Sequence, residues 1–371
     1  MRRLDFVDSL RGLAAIYVVV YHMVLLPDPN LLVPHWADAI AHHGGTAVRL
    51  FFVISAFSLC HTMKEHTGRG QVRDFYIRRF FRIAPLFYFM LVFYAFRDVL
   101  YFGVWHSPWL WLKSILFFFN FFPDSASGIV WASWTIGVEM VFYAVFPLLF
   151  PRYRNAPALV ALLFATLLMS VVYHEYALHL LPPKEAELFY GFSFFRSLPC
   201  FVIGMLCWFI YDRYIDGRKH SAELGLALIL GSLWAFHALL QHSMVVWFPD
   251  DYYWQAIIYS ALLLGVGIKP LSIFVNRLTR FAGKASYSIY LLHPSTILFL
   301  FPVYRWIYGL GFPVTVSFLA SYAVTLTAVI SLSALTYRWI EKPGMRLGKL
   351  LIARLSAGYS PSRVGTTAPA P

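Results

Sequence analysis

Two ionisable side chains, Arg11 and His22, bracket ten uncharged residues in the stretch RGLAAIYVVVYH. On an α-helix, eleven residues turn through about 1100°, three turns plus about 20°, so both side chains share one face roughly 16 Å apart along the axis. A histidine at such a site can take and return a proton, and an arginine can hold an anion. Taken alone, Arg11 fits equally well as a positive-inside anchor that snorkels to lipid headgroups. His22 has its own bland reading, a neutral histidine bonded to a neighbouring helix. Glu139, in WTIGVEMVFY, is a carboxylate of the kind that orients a histidine base. Its alternative is a carboxylic acid that packs between helices.

Further chemistry lies in YIRRFFRIAPLFYF. Arg79 and Arg82 are three residues apart and share a helix face, with Arg78 beside them. Guanidiniums at that spacing suit a bidentate grip on phosphate, although topology-setting charge and headgroup contact account for them as readily. ASYSIYLLHP supplies Ser286, Tyr287, Tyr290 and His293. The tyrosines also fit an interfacial belt, and His293 before Pro294 also fits a kinked packing site. Arg49 in TAVRLFFVIS fits three roles, snorkelling, pairing with an acid, or polarising a substrate oxygen, and the sequence does not choose between them. Several apparent signals fail. HEYALH has Leu178 where a second zinc-ligating histidine would stand, and His42 and His43 are adjacent, a poor chelating pair. No phosphate-loop or dinucleotide glycine pattern is present, and no metal site is expected.

The elements that must position these residues are membrane helices. Of the 371 residues, 60% are hydrophobic and only 13% charged, about half the share usual in soluble domains. The net charge of +12 falls in short gaps between apolar spans, so it reads as topology rather than as nucleic-acid binding. The rule of about twenty apolar residues per span predicts ten spans, near 8–26, 44–63, 83–103, 133–150, 157–174, 192–211, 223–241, 252–268, 285–302 and 313–336. The first is expected to be an uncleaved span, because no small-x-small cleavage site follows it.

The stretch 109–122, WLWLKSILFFFNFF, is short for a span and contains Lys113. If it does not cross and the N-terminus is cytoplasmic, 24 of the 30 basic residues face the cytoplasm, as the positive-inside rule requires. The expected architecture is therefore an all-α bundle of about ten transmembrane helices, plus a re-entrant or interfacial element over 109–122, with both termini cytoplasmic. A single membrane domain is expected over 1–345, followed by a basic and then disordered tail over 346–371. In this topology His22 and Glu139 lie at similar depths, which favours their pairing. Cys60, Cys200 and Cys207 sit in apolar stretches with no paired framework, so no disulfide is expected.

Six blocks in order, LDFVDSLRGLAAIYVVVYH, LFFVISAFSL, RRFFRIAPLF, SWTIGVEMVFYAVFP, SYSIYLLHP and YRWIEKPG, together resemble the membrane-bound acyltransferase-3 family of O-antigen and exopolysaccharide O-acetylases. The resemblance covers about 5–345. It implies transfer of an acyl group, most often acetyl, from cytoplasmic acyl-CoA to a hydroxyl of a surface polysaccharide or lipid-linked glycan. The location it implies is the bacterial inner membrane. By motif match it makes His22 the central catalytic histidine with Arg11 its partner, Arg79 and Arg82 the Arg-x-x-Arg pair, and Glu139 the glutamate after Trp134. Ala56 stands where many members have glycine, and Arg49 where many have an acidic or polar residue.

Many members of that family also carry a soluble esterase-like domain, and none is expected after the last span here. The expected site is therefore His22 and Glu139 as catalytic residues and Arg11, Arg78, Arg79 and Arg82 for the donor. Arg49, Ser55, Trp134, Tyr287 and His293 are expected around the substrate. Acetyl-CoA is expected as a substrate, with no resident cofactor. The expected partners are the glycan acceptor and membrane lipid, with a homo-oligomer or polysaccharide-synthesis proteins also compatible. Nucleic acid is not expected. The rival reading is a proton-coupled transporter or flippase using intramembrane His22 and Glu139.

Overall fold

The structure, a computed structural model, describes residues 4–65, 70–241 and 251–357. Arg2, Arg3 and residues 358–371 of the expected tail lie outside the described residues. Fifteen α-helices run in the order α1 (Asp5–Leu25), α2 (Asp38–His42), α3 (Ala47–Glu65), α4 (Gln71–Phe102), α5 (Pro108–Ile115), α6 (Trp134–Leu149), α7 (Ala156–Leu180), α8 (Pro183–Gly191), α9 (Phe194–Ile210), α10 (Ala222–Leu240), α11 (Asp251–Ile268), α12 (Arg277–Lys284), α13 (Ser286–Gly309), α14 (Val314–Thr336) and α15 (Lys342–Ala357). There is no strand among the described residues, and the chain is an all-α integral membrane protein.

A helix occupies each of the ten expected span positions. Among the described residues, eight helices are long and apolar enough to cross a membrane, while Trp134–Leu149 is a shorter apolar helix. Two boundaries differ from expectation in ways that matter for the site. Helix α4 starts at Gln71, so Arg78, Arg79 and Arg82 stand within it rather than ahead of it. A propensity-neutral basic stretch simply continues the helix beyond its apolar part. Helix α14 does not stop near 336. It passes through a π-helical turn, Tyr337–Glu341, into α15. That turn brings Glu341 into the core, where it is 2% exposed and accepts a hydrogen bond from Ser288 Oγ. The extra residue of a π-turn rotates the helix face, a device common at functional sites. Helix α15 runs through the expected domain boundary at 345 and seats Gly344 and Gly348 against Pro85 and Phe81 of α4.

The stretch 109–122 does not cross as a helix. It forms the eight-residue α5, capped by Ser107, followed by tight turns. Its lysine is explained by Asp124. The Lys113 side chain is 1% exposed, and its Nζ donates to both carboxylate oxygens at 2.9 Å. This pairing holds the Asp124 carboxyl below the usual carboxylate range.

Helix α1 packs chiefly on α12, α13 and α3. It approaches α12 closely, because Gly12 and Gly283 remove the side chains that would hold the backbones apart. Helix α12 is locked at its start by a reciprocal cap between Asn276 and Thr279. Helix α6 is positioned from its first turn. Asn120, 1% exposed, fills the space left by Gly137 and donates Nδ2 to the carbonyls of Trp134 at 3.1 Å, Ala126 at 3.1 Å and Phe192 at 2.9 Å.

Candidate active site

A cavity of about 590 Å³ opens among α1, α3, α4, α6, α12, α13 and α15. Its walls carry six cationic side chains, Arg11, Arg78, Arg79, Arg82, Lys284 and Lys349, against three acids, Asp8, Glu139 and Glu341. The excess of positive charge and the density of guanidiniums suit a ligand bearing several phosphates. Arg11 is fixed by donating Nη2 to Ser58 Oγ at 3.1 Å. Arg79 lies 5.6 Å from the Phe75 ring centre and 5.5 Å from that of Tyr143. Its buried Nε has no hydrogen-bond partner among the described residues.

Glu139 faces this cavity rather than His22. Its Oε1 accepts from Ser55 Oγ at 2.5 Å and from Tyr143 Oη at 2.5 Å. Tyr143 is one turn along α6, and Ser55 reaches across from α3. Hydrogen bonds to a charged acceptor are each worth roughly 1.5–3 kcal/mol, so the carboxylate is held in place from two helices. It also interacts electrostatically with Arg11 and Arg79. Tyr287 lines the same cavity and donates to the Ile83 carbonyl at 2.9 Å.

The expected pairing of His22 with Glu139 is therefore replaced. His22 pairs with His293, with 3.0 Å between His22 Nδ1 and His293 Nε2. His22 Nδ1 also lies 3.1 Å from the Val18 carbonyl oxygen. Matching depths counted along two helices carry no information about azimuth, and α13, not α6, lies against α1 here. His293 is fully buried, and its ring meets that of Tyr290 at 5.7 Å. Tyr290 lines the cavity, stacks edge-on with Phe51 at 5.7 Å, and is anchored to the Ala132 carbonyl and Thr135 Oγ1 at 3.1 and 3.0 Å. Tyr290 thus connects the cavity wall to the histidine pair.

Three expected pocket residues, and His22 itself, stand outside the cavity walls. His293 is one. Trp134 packs on Phe192 and Phe52, and Arg49 donates to the Gly45 carbonyl at 2.8 Å with its guanidinium 4.0 Å from the Tyr252 ring centre. Packing on an aromatic ring and donating to a backbone carbonyl lies outside the three roles weighed for Arg49 in the sequence.

Several placed residues were missed in the sequence. Arg97 and Asp98 are 2% and 5% exposed within α4. Arg97 donates to Asp98 Oδ1 at 2.9 and 2.5 Å and to Ser295 Oγ at 2.9 Å, and His106 lies 2.9 Å from Asp98 Oδ2. Ser295 is two residues from His293, so this network braces the helix that carries it. Two adjacent charges inside a predicted span were the available signal. Asn120 had a weaker one, a single amide in a run of phenylalanines.

A family model described as an acyltransferase domain matches residues 4–338. The exopolysaccharide production protein ExoZ of Rhizobium meliloti is 30% identical over 347 residues, covering 88% of this chain and 98% of that protein. The O-acetyltransferase OatA of Staphylococcus aureus is 24% identical over 376 residues, covering 94% of this chain and 58% of that protein. The peptidoglycan O-acetyltransferase OatA of Listeria monocytogenes is 24% identical over 370 residues, covering 91% and 55%. The chain thus spans a little over half the length of the OatA proteins. No solved structure matches it.

Proposed function

From the premise that this chain belongs to the acyltransferase-3 family, we propose that it is a membrane O-acetyltransferase. It takes an acyl group from cytoplasmic acyl-CoA and passes it to a hydroxyl of a surface polysaccharide or lipid-linked glycan, in the bacterial inner membrane. The observation that carries the donor is the cationic cavity. Arg11, Arg78, Arg79 and Arg82 line it together, and the nucleotide phosphates of CoA would sit among them at the cytoplasmic end. Glycan O-acetylation is supported by the names of the OatA and ExoZ relatives.

In this reading the pantetheine arm runs from the arginines past Glu139 toward Tyr290. The roughly 16 Å between Arg11 and His22 on one helix face is comparable to a stretched pantetheine. Phe51 and Tyr290 part to admit the thioester to His22. His22 takes the proton of the acceptor hydroxyl as its oxygen bonds the acyl carbon and the C–S bond breaks. The proton then passes to the departing CoA thiolate. Base catalysis of this kind is typically worth about 10²–10⁴-fold. Glu139, fixed by Ser55 and Tyr143, balances the arginines and holds the cavity open to the arm. No resident metal or cofactor takes part.

The test is binding of radiolabelled acetyl-CoA to purified protein, followed by acetyl transfer to isolated surface glycan. Saturable binding that is lost on charge removal at Arg79 and Arg82 is expected. Absence of binding together with proton-coupled flux of a glycan would overturn the reading in favour of transport.

A further inference from the structure

We infer that His293 is a positioning residue that fixes His22 as the Nδ1–H tautomer, leaving Nε2 as the nitrogen that exchanges the proton. This rests on the proposed role of His22 as the base, and it is carried by three contacts. His22 Nδ1 lies 3.1 Å from the Val18 carbonyl oxygen, His293 Nδ1 lies 3.3 Å from the Ile289 carbonyl oxygen, and the two rings meet through His22 Nδ1 and His293 Nε2 at 3.0 Å.

A carbonyl oxygen only accepts, so each Nδ1 that faces one must carry the hydrogen. A neutral imidazole has one N–H, so His293 Nε2 is then a bare lone pair. It accepts from His22 Nδ1–H, which is shared between His293 and the Val18 carbonyl. The opposite assignment, with His293 Nε2–H donating to His22 Nδ1, turns a lone pair toward a carbonyl oxygen in both residues at once.

His293 therefore does for His22 what a carboxylate does in a hydrolytic triad, without introducing charge into the bundle. When His22 Nε2 takes up a proton, the Nδ1–H is already directed at two acceptors. The supporting side is rigid. His293 is fully buried, and two residues on, Ser295 is held by Arg97. On the reactive side, His22 is half-buried and its Nε2 makes no hydrogen bond among the described residues.

The experiment reads the tautomer directly and then the rate. Imidazole ¹⁵N spectra of histidine-labelled protein in nanodiscs, with the His22 signals identified by their loss in His22→Ala, are expected to show protonated Nδ1 and unprotonated Nε2. An Nε2–H form in the unaltered protein overturns the inference and needs no variant. In kinetics, His293→Leu is expected to lower kcat at least ~10-fold, a fraction of the full general-base contribution, with KM for acetyl-CoA little changed. His293→Gln, which returns an acceptor near the position of Nε2, is expected to recover most of that loss and to keep the Nδ1–H signal. A His293→Leu protein as active as the parent sinks the inference alone. A His22→Ala protein that retains full activity sinks the proposed base as well.

Discussion

Gly283 of α12 lies so close to Asp8 of α1 that a methyl group on it would stand 1.8 Å from the Asp8 carbonyl oxygen. The reciprocal position, Gly12, leaves only 2.4 Å to the Thr279 carbonyl oxygen. Both close approaches are to backbone, which cannot swing aside. Gly12→Ala and Gly283→Ala are each expected to force the helices apart, at a cost of about 1–3 kcal/mol for overpacking. Because Asp8, Arg11 and Lys284 sit beside this seam, donor binding should fall as well. Thermal unfolding in detergent and acetyl-CoA binding check the two effects.

Asn120 is the pin that sets α6. Two amide hydrogens are shared among three carbonyls, so removing them strands buried acceptors at about 1–3 kcal/mol. Asn120→Leu is expected to destabilise the protein and reduce transfer through displacement of Glu139. Asn120→Asp is expected to do more harm, since it presents acceptors to acceptors. A variant series scored by melting temperature and by specific activity tests this, and wild-type behaviour of Asn120→Asp would refute it.

The arginines of the cavity are expected to act on donor affinity. Arg79→Gln and Arg82→Gln should each raise KM for acetyl-CoA by roughly 10-fold, the loss of one charge-assisted contact of about 1.5 kcal/mol. The salt dependence of donor binding should weaken with each charge removed. Steady-state kinetics at two ionic strengths read both quantities.

Glu139→Gln keeps the shape of the side chain and removes its charge. It should weaken the hold on Ser55 and Tyr143 and lower kcat while leaving the protein folded. Tyr143→Phe removes one of the two 2.5 Å donors and should produce a smaller effect in the same direction. Comparison of the two variants by single-turnover transfer separates charge from positioning.

The Lys113–Asp124 pair gives a pH dependence. Asp124 has its carboxyl lowered by Lys113, so its contribution to stability is complete above the ordinary carboxylate range near 3.9. That contribution is lost as pH falls through the lowered value. Asp124→Asn should reproduce the acid-side loss at neutral pH, and the melting temperature of that variant should be less sensitive to acidification than that of the parent.

The helices were legible in the sequence because apolar length and the placement of basic residues are one-dimensional signals. The basic cluster was legible for the same reason, since Arg79 and Arg82 share a face at any register. The partner of His22 was not. Residue counting along two helices gives depth, whereas the partner depends on which helices touch. The Gly12–Gly283 seam and the Asn120 pin decide that, bringing α12 and α13 against α1 and holding α6 on the far side of the cavity. Glu341 was hidden by the π-turn, because a regular helix through 337–341 would present a different face. Arg97 and Asp98 are visible in the sequence as charges in a span, and their role emerges only through Ser295.

The excess of cationic groups in the cavity has a consequence for turnover. In the proposed reaction the donor loses its acyl group at the sulfur end, while every phosphate remains in place. The arginines and lysines then grip the spent carrier as firmly as the loaded one, since contacts equal in both states cannot favour the forward direction. In that reaction escape of free CoA is expected to limit turnover, so the first cycle is expected to outrun those that follow, and the ratio of loaded to spent carrier is expected to set the pace.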